Sequence, residues 1–200
     1  MKVQIAIFKR PLHHLKIILT STPKKSQITN HKSQIEYMPT DYTLPAQTRI
    51  GHVHLKVADL KRSMEFYCDL LGFEVTTMYG TQAAFISAGG YHHHIGLNTW
   101  YSKDAAPAPV HAAGLFHTAI LYPTRRDLAA IFARISKANY PFTGYADHGV
   151  SEALYLNDPD NNGVELYWDR PKDEWKYNDD GSIVMFTEAL DLQGLLKELD

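Results

Sequence analysis

Apolar and polar positions alternate with the two-residue period of a β-strand from residue 49 to residue 57. One face of this predicted strand is aliphatic, and the opposite face carries His52 and His54. Asp59 then offers an N-cap for a helix whose apolar positions recur about every 3.6 residues until Gly72 ends it. Three further strands are predicted at residues 74–78, 83–87 and 92–100. The pattern thus predicts a strand, a helix and three strands.

The same order of elements returns after a connector rich in proline and alanine at residues 105–113. The second set comprises a strand at 115–122, a helix at 126–139, strands near 142–145, 153–156 and 164–168, and a strong turn at 158–163. His52 and His117 lie at equivalent points of the two first strands. The chain is therefore predicted to contain an internal repeat of about 60 residues.

This repeat predicts an α+β fold of two tandem βαβββ modules that form an open, cup-like β-barrel around a metal site. The two-module domain is expected at residues 47–175, with the modules at about 48–104 and 114–172. Residues 1–46 carry a run of basic side chains with no sustained period, which predicts a poorly ordered basic extension. Residues 176–200 are expected to form a tail with a short helix that docks on the body or on a partner chain.

Composition excludes several classes of function. A formal net charge of −2 gives no support for a nucleic-acid partner. The single cysteine, Cys68, cannot form an intramolecular disulfide, and the apolar runs are too short for a signal peptide or a membrane span. We therefore expect a cytoplasmic protein with no membrane partner.

Three residues are predicted to hold a divalent metal ion. His52 and His117 lie on the polar faces of the two first strands, and Glu165 lies opposite the apolar face of the last strand. Two imidazoles and one carboxylate form the facial triad of non-haem Fe(II) oxygenases, which leaves positions open for substrate and O2. The same set can bind Mn(II), Zn or Ni. The alternative is that the three residues are satisfied by hydrogen bonds within a polar core.

A histidine triplet at residues 92–94 precedes the end of the first module. If the following aliphatic residues pack beneath the helix, alternation predicts that His94 faces the concavity and His93 faces outward, and a one-residue shift exchanges them. An exposed histidine-rich hairpin is the alternative. His148 and Tyr155 lie shortly before Glu165 and are further candidates, although a tyrosine on a strand is commonly a packing residue.

The motifs resemble the vicinal oxygen chelate superfamily, the glyoxalase, bleomycin-resistance and extradiol dioxygenase group, over residues 48 to about 170. The segments that carry the resemblance are residues 50–67, 70–74 and 157–167. The order His148, Tyr155, Glu165 resembles the extradiol branch, closest to the catechol 2,3-dioxygenases. This resemblance implies metal ligation by His52, His117 and Glu165, with catalytic roles for His148, Tyr155 and either His93 or His94.

The resemblance further implies Fe(II), less often Mn(II), as cofactor, and a small aromatic diol and O2 as substrates. The catechol dioxygenases compared carry four modules, whereas this chain has two, so it is expected either to need a partner subunit, as a homo-oligomer, or to have changed its substrate. Two other functions remain open. One is a glyoxalase-like isomerase or lyase with a fourth ligand at His94, and the other is a metal-free binding or resistance module.

Overall fold

The computed structural model describes residues 42–109 and 111–200. The chain divides into two units, Met1–Ala46 and Gln47–Asp200, and the predicted disorder of residues 1–46 falls outside the described residues except for 42–46. Among the described residues, no helix is long and apolar enough to cross a membrane.

The first module contains four strands and one long helical segment. Its elements are β1 (Val53–Lys56), α1 (Leu60–Met64), a π-helical segment (Glu65–Leu70), β2 (Glu74–Tyr79), β3 (Ala83–Ser87) and β4 (Ile95–Asn98). Asp59 caps α1 as predicted, since its side chain accepts a hydrogen bond from the Arg62 N–H at 2.9 Å. Gly72, with φ of +92°, follows the π-helical segment in the left-handed region that favours glycine. The predicted helix thus begins and ends where expected, with wider turns in its second half.

The second module repeats this order. Its elements are β5 (His117–Leu121), α2 (Arg125–Lys137), β6 (Phe142–Asp147), β7 (Ser151–Asn157) and β8 (Gly163–Asp169). Thr124 caps α2 by accepting a hydrogen bond from the Asp127 N–H at 3.1 Å. The buried residues of α2 recur at helical spacing, so one stripe of the helix faces the sheet.

The strands form two four-stranded mixed sheets, ordered β1-β4-β3-β2 and β5-β8-β7-β6. The first strand of each module pairs in parallel with the fourth, and the other pairs are antiparallel. The predicted α+β fold of paired βαβββ modules is confirmed. Three strands are shorter than predicted, because β1 begins at Val53, β4 at Ile95 and β5 at His117. The alternation of apolar and polar residues in the sequence therefore extends beyond the residues that are hydrogen-bonded in the sheet.

One apolar cluster joins the helix-facing side chains of both modules. Its fully buried members include Leu97 on β4, Leu128 on α2 and Leu166 on β8. Burying each such side chain contributes about 1.5–3 kcal/mol. The opposite faces of the two sheets are therefore left to carry polar groups.

The turn between β7 and β8 is held by the first module. Buried Asp158 accepts a hydrogen bond from the Tyr67 hydroxyl at 3.1 Å. Buried Asp160 accepts from the Ala58 N–H at 3.1 Å and pairs with the Arg62 guanidinium. Since both carboxylates are buried, their pairing with donors is required for the modules to associate in this way. These contacts with the first module hold the turn that connects β7 to β8.

The C-terminal segment crosses back over the second module. A turn of 3₁₀-helix (Lys172–Glu174) follows β8, and α3 (Leu192–Leu196) with a final 3₁₀ turn (Lys197–Leu199) lies near the end of the chain. Leu195 is fully buried, and Arg125 donates hydrogen bonds to the Gly194 carbonyl and to Glu198. The tail thus docks on the body of its own chain.

Candidate functional site

Strands β7 and β8 place Tyr155 and Glu165 directly opposite each other in antiparallel register. Side chains of directly paired residues project from the same face of a sheet. The Tyr155 hydroxyl accordingly donates a hydrogen bond to Glu165 Oε1 at 2.9 Å.

Strand β5 adds His117 to the same group. His117 is the register partner of Gly163 at the start of β8, and its Nε2 lies 2.8 Å from Glu165 Oε2. A Cβ on Gly163 would lie 2.1 Å from the Phe116 carbonyl oxygen, so only glycine permits the two strands to approach this closely.

The His117–Glu165 pair is partly enclosed by the protein. The exposed fraction of the side chain is 31% for His117 and 12% for Glu165. His117 Nδ1 is buried without a hydrogen-bond partner. A buried carboxylate needs a cation or donors to offset its desolvation, and here it has one imidazole and one phenol.

His148 extends the group from the turn between β6 and β7. Its Nε2 lies 2.8 Å from the Tyr155 hydroxyl. The structure therefore brings four predicted site residues into one chain of contacts, His117, Glu165, Tyr155 and His148.

Burial, the hydrogen bond to Glu165 and the charge of that carboxylate raise the pKa of Tyr155 well above its ordinary value. The phenol is thus held in its protonated form, as a hydrogen-bond donor. Tyr155 can therefore donate a hydrogen bond to the Glu165 carboxylate while remaining neutral.

His52 lies in a different cluster. Its ring centroid is 4.4 Å from that of His93 and 6.3 Å from that of His92. His52 and residues 118–121 of β5 line one cavity of about 320 Å³, so His52 lies across this cavity from the strand that begins at His117. Within the part of the chain that the structure describes, no group of three or more His, Cys, Asp or Glu is arranged to hold a metal ion. The predicted ligand set of His52, His117 and Glu165 therefore stays a prediction, and in this structure His117 and Glu165 are in contact.

The structure places His93 and His94 in different surroundings. The His93 ring packs against His52 and, at 5.0 Å, against Phe85. His94 Nδ1 lies 3.0 Å from the Ser87 hydroxyl, and His94 lines the same cavity as His52. The triplet precedes β4, and alternation holds only along extended backbone. The orientation of His94 toward the concavity therefore stays a prediction, with His93 as the alternative.

His54 contacts the same cluster of rings as His93. Its ring lies 5.7 Å from that of Phe85 and 5.5 Å from that of Trp100. Burial lowers the pKa of His54, and nearby His52 lowers it further. Burial and then His52 also lower the pKa of His93. Neutral imidazoles are therefore favoured in this cluster, and neutral imidazole is the form that binds metals or accepts protons.

Sequence reasoning missed the partners that hold His148. Its Nδ1 lies 2.9 Å from the Phe186 carbonyl oxygen, and the preceding Asp147 pairs with Arg170 at 2.7 Å. Arg170 in turn pairs with buried Glu152. A backbone carbonyl has no side-chain signature, so the sequence pattern could not have indicated the Phe186 contact.

Comparison with known proteins adds to this geometry. A family model described as the glyoxalase/bleomycin resistance protein/dioxygenase superfamily matches residues 49–166. A catechol-2,3-dioxygenase of Bacillus subtilis (strain 168) is 40% identical over 152 residues, covering 76% of this chain and 52% of that protein. Biphenyl-2,3-diol 1,2-dioxygenase 3 of Rhodococcus globerulus is 32% identical over 125 residues, covering 60% and 63%. The matches span between about half and two thirds of these relatives.

Solved structures share the fold at low identity. A glyoxalase/dioxygenase from Nostoc punctiforme has a TM-score of 0.55 at 15% identity, covering 67% of this chain and 99% of that one. A glyoxylase/bleomycin resistance protein/dioxygenase domain from Frankia sp. EAN1pec has a TM-score of 0.51 at 24% identity, covering 62% and 98%. These likenesses concern the fold alone.

Proposed function

The chain belongs to the glyoxalase/bleomycin resistance protein/dioxygenase superfamily, and from that premise we propose that it is a metal-dependent extradiol dioxygenase. Its substrates would be a small aromatic diol and O2. The observation that carries the proposal is the continuous chain of contacts from His117 through Glu165 and Tyr155 to His148. The names of the relatives, which act on catechol and biphenyl diols, support the substrate class.

The donor set fits a divalent metal ion. His117 and Glu165 would hold the ion, because a largely enclosed carboxylate lies beside an imidazole whose Nδ1 is buried without a hydrogen-bond partner. His52 is the third proposed ligand, and it lines a cavity together with residues 118–121, which follow His117 on β5. Fe(II) suits two imidazoles and a carboxylate, and when bound it would supply coordination positions for the diol oxygens and for O2.

The remaining residues of the chain would bind substrate and hold protons. The Tyr155 hydroxyl donates its one proton to Glu165 in this structure, and it would donate to a substrate oxygen instead once Glu165 holds the ion. His148 Nε2, at 2.8 Å from that hydroxyl, can take up or return a proton through it, as general acid–base catalysis requires. His94, which lines the same cavity as His52, is the proposed base for a diol hydroxyl that approaches from the first module, and His93, whose ring contacts His52, is the alternative.

Oxygen uptake after anaerobic loading with Fe(II) tests the proposal. We expect uptake and a coloured ring-cleavage product with at least one member of a panel of one-ring and two-ring diols. Glu165→Gln should abolish turnover, whereas Glu65→Gln, which alters an exposed carboxylate paired with Lys61, should retain it. A metal-loaded protein that consumes no O2 with any diol would refute the proposal.

The same measurements distinguish the alternatives. Isomerisation that depends on Zn or Ni and consumes no O2 would support the glyoxalase-like enzyme. Tight binding of an aromatic ligand, with a melting temperature unaltered by chelators, would support a metal-free binding module, because metal binding to the folded state alone must stabilise it.

A further inference from the structure

The chain that follows β8 returns to the turn between β6 and β7 and pairs with it. The Asp147 N–H donates to the Glu188 carbonyl and the Glu188 N–H donates to the Asp147 carbonyl, both at 3.0 Å. The Phe186 N–H also donates to the His148 carbonyl at 3.3 Å. Residues 186–188, which we call the strap, thus form a short antiparallel pairing beside a residue of the candidate site.

The strap contacts the imidazole of His148 through its backbone. His148 Nδ1 lies 2.9 Å from the Phe186 carbonyl oxygen and 3.3 Å from the Thr187 hydroxyl. A carbonyl oxygen can only accept a hydrogen bond, so this contact requires the proton on Nδ1. Nε2 is then left to Tyr155, whose hydroxyl carries one proton. When the ring is neutral, Nε2 can accept that proton in place of Glu165, and when the ring is charged, Nε2 donates to the hydroxyl, which keeps its hydrogen bond to Glu165.

The strap is seated on the turn by a glycine. Gly149 has φ of +78°, and a Cβ there would lie 2.6 Å from the Phe186 ring. Glycine is therefore required both by the backbone conformation and by the close packing of the ring. On the other side of the turn, Asp147 is held by Arg170 at 2.7 Å, which leaves the turn little freedom to move away from the strap.

From these contacts we infer that the strap is a positioning element, which selects the Nδ1–H tautomer of His148 and reserves Nε2 for Tyr155. The unassisted ring of histidine exchanges between two tautomers, and the partner of one nitrogen determines which nitrogen is free. The tautomer itself follows from the geometry, whereas its consequence for catalysis rests on the proposed function.

Nitrogen-15 NMR of the full chain labelled at histidine reports the tautomer directly, at a pH where the ring is neutral. The His148 signals are identified by their loss in His148→Gln. Wild type should show the proton on Nδ1. Glu188→Pro removes the N–H that donates to Asp147 and should loosen the strap, so that the Nε2–H form gains population.

Glu188→Ala is the matched control, because it removes only an exposed side chain and retains both backbone hydrogen bonds. It should keep the wild-type tautomer. In the dioxygenase assay, Glu188→Pro should lower kcat on the order of tenfold with a smaller change in KM, the lower end of what loss of an orienting partner costs.

A second pair of variants covers the case in which Glu188→Pro does not fold. Phe186→Ala removes the ring that packs on Gly149, and Met185→Ala alters a neighbouring exposed side chain as its control. The inference is overturned if wild-type His148 carries its proton on Nε2, or if folded strap variants retain the Nδ1–H form. Absence of turnover with every diol would instead count against the proposed function, since the NMR result does not depend on activity.

Discussion

Replacing Glu152 on β7 should destabilise the protein far more than replacing an exposed glutamate. The Glu152 side chain is 4% exposed and accepts hydrogen bonds at 2.8 Å from both Arg125 and Arg170. Glu152→Ala removes both charge-assisted bonds and leaves two guanidinium groups that are themselves only about a quarter exposed.

Removing one partner of a buried ion pair costs about 3–5 kcal/mol. The lower end applies here, because Arg125 keeps Glu198 and the Gly194 carbonyl, and Arg170 keeps Asp147. We therefore expect a loss of about 3 kcal/mol in the free energy of unfolding, which for a domain of roughly 150 residues lowers Tm by about 6–12 °C. Glu152→Gln keeps one acceptor oxygen and should lose about half as much.

Thermal and urea unfolding followed by circular dichroism measure these losses. Glu65→Ala is the comparison, since it breaks an exposed pair with Lys61 at 3.6 Å and should cost only about 0.2–0.5 kcal/mol. The reasoning is refuted if Glu152→Ala costs less than about 1 kcal/mol, or no more than Glu65→Ala.

Three further outcomes are expected. Gly163→Ala should cost at least about 2 kcal/mol and separate β5 from β8, because its Cβ would collide with the Phe116 carbonyl; unchanged urea unfolding would contradict this. Tyr67→Phe should cost about 1–3 kcal/mol by leaving buried Asp158 without its phenolic donor, and an unchanged Tm would count against the account of how the modules join. Burial raises the pKa of Asp158 although Asn162, Tyr67 and Asp160 donate hydrogen bonds to it, so the folded protein holds this proton to higher pH than the unfolded chain. Its contribution to stability is therefore greatest below the ordinary aspartate pKa of about 4 and declines as pH rises through the folded pKa. Carboxyl carbon-13 titration measures that pKa, and a value at or below the ordinary one would show the sign to be wrong.

The order of elements was predictable because strand and helix periods are local properties of the chain. The alternation reappears as a strand over Val53–Lys56, and the helical spacing after Asp59 reappears as a helix. The placement of Tyr155 and Glu165 on one face also followed from alternation, and the antiparallel register then brought their side chains together.

Long-range and backbone-mediated features could not be read in the same way. Alternation could not decide between His93 and His94, because it gives no information outside a strand and β4 begins only at Ile95. The contact of Phe186 with His148 is made by a backbone carbonyl, which the identity of a residue does not indicate. Asp158 and Asp160 were predicted only as turn residues, and their contacts with the first module span about 90–100 positions of sequence.

The two modules make different contributions to the contact between them, one supplying acceptors and the other donors. This limits how the two halves of the gene can evolve. The second module supplies the carboxylates of the 158–160 turn, and the first supplies the donors Tyr67 and Arg62. The corresponding turn of the first module, between β3 and β4, carries Gly89-Gly90 and the histidines, with no acidic residue. Two copies of the first module would therefore lack the carboxylates of this contact. The two halves are not interchangeable in this respect, and a substitution at Asp158 would leave the Tyr67 hydroxyl of the other half without its acceptor.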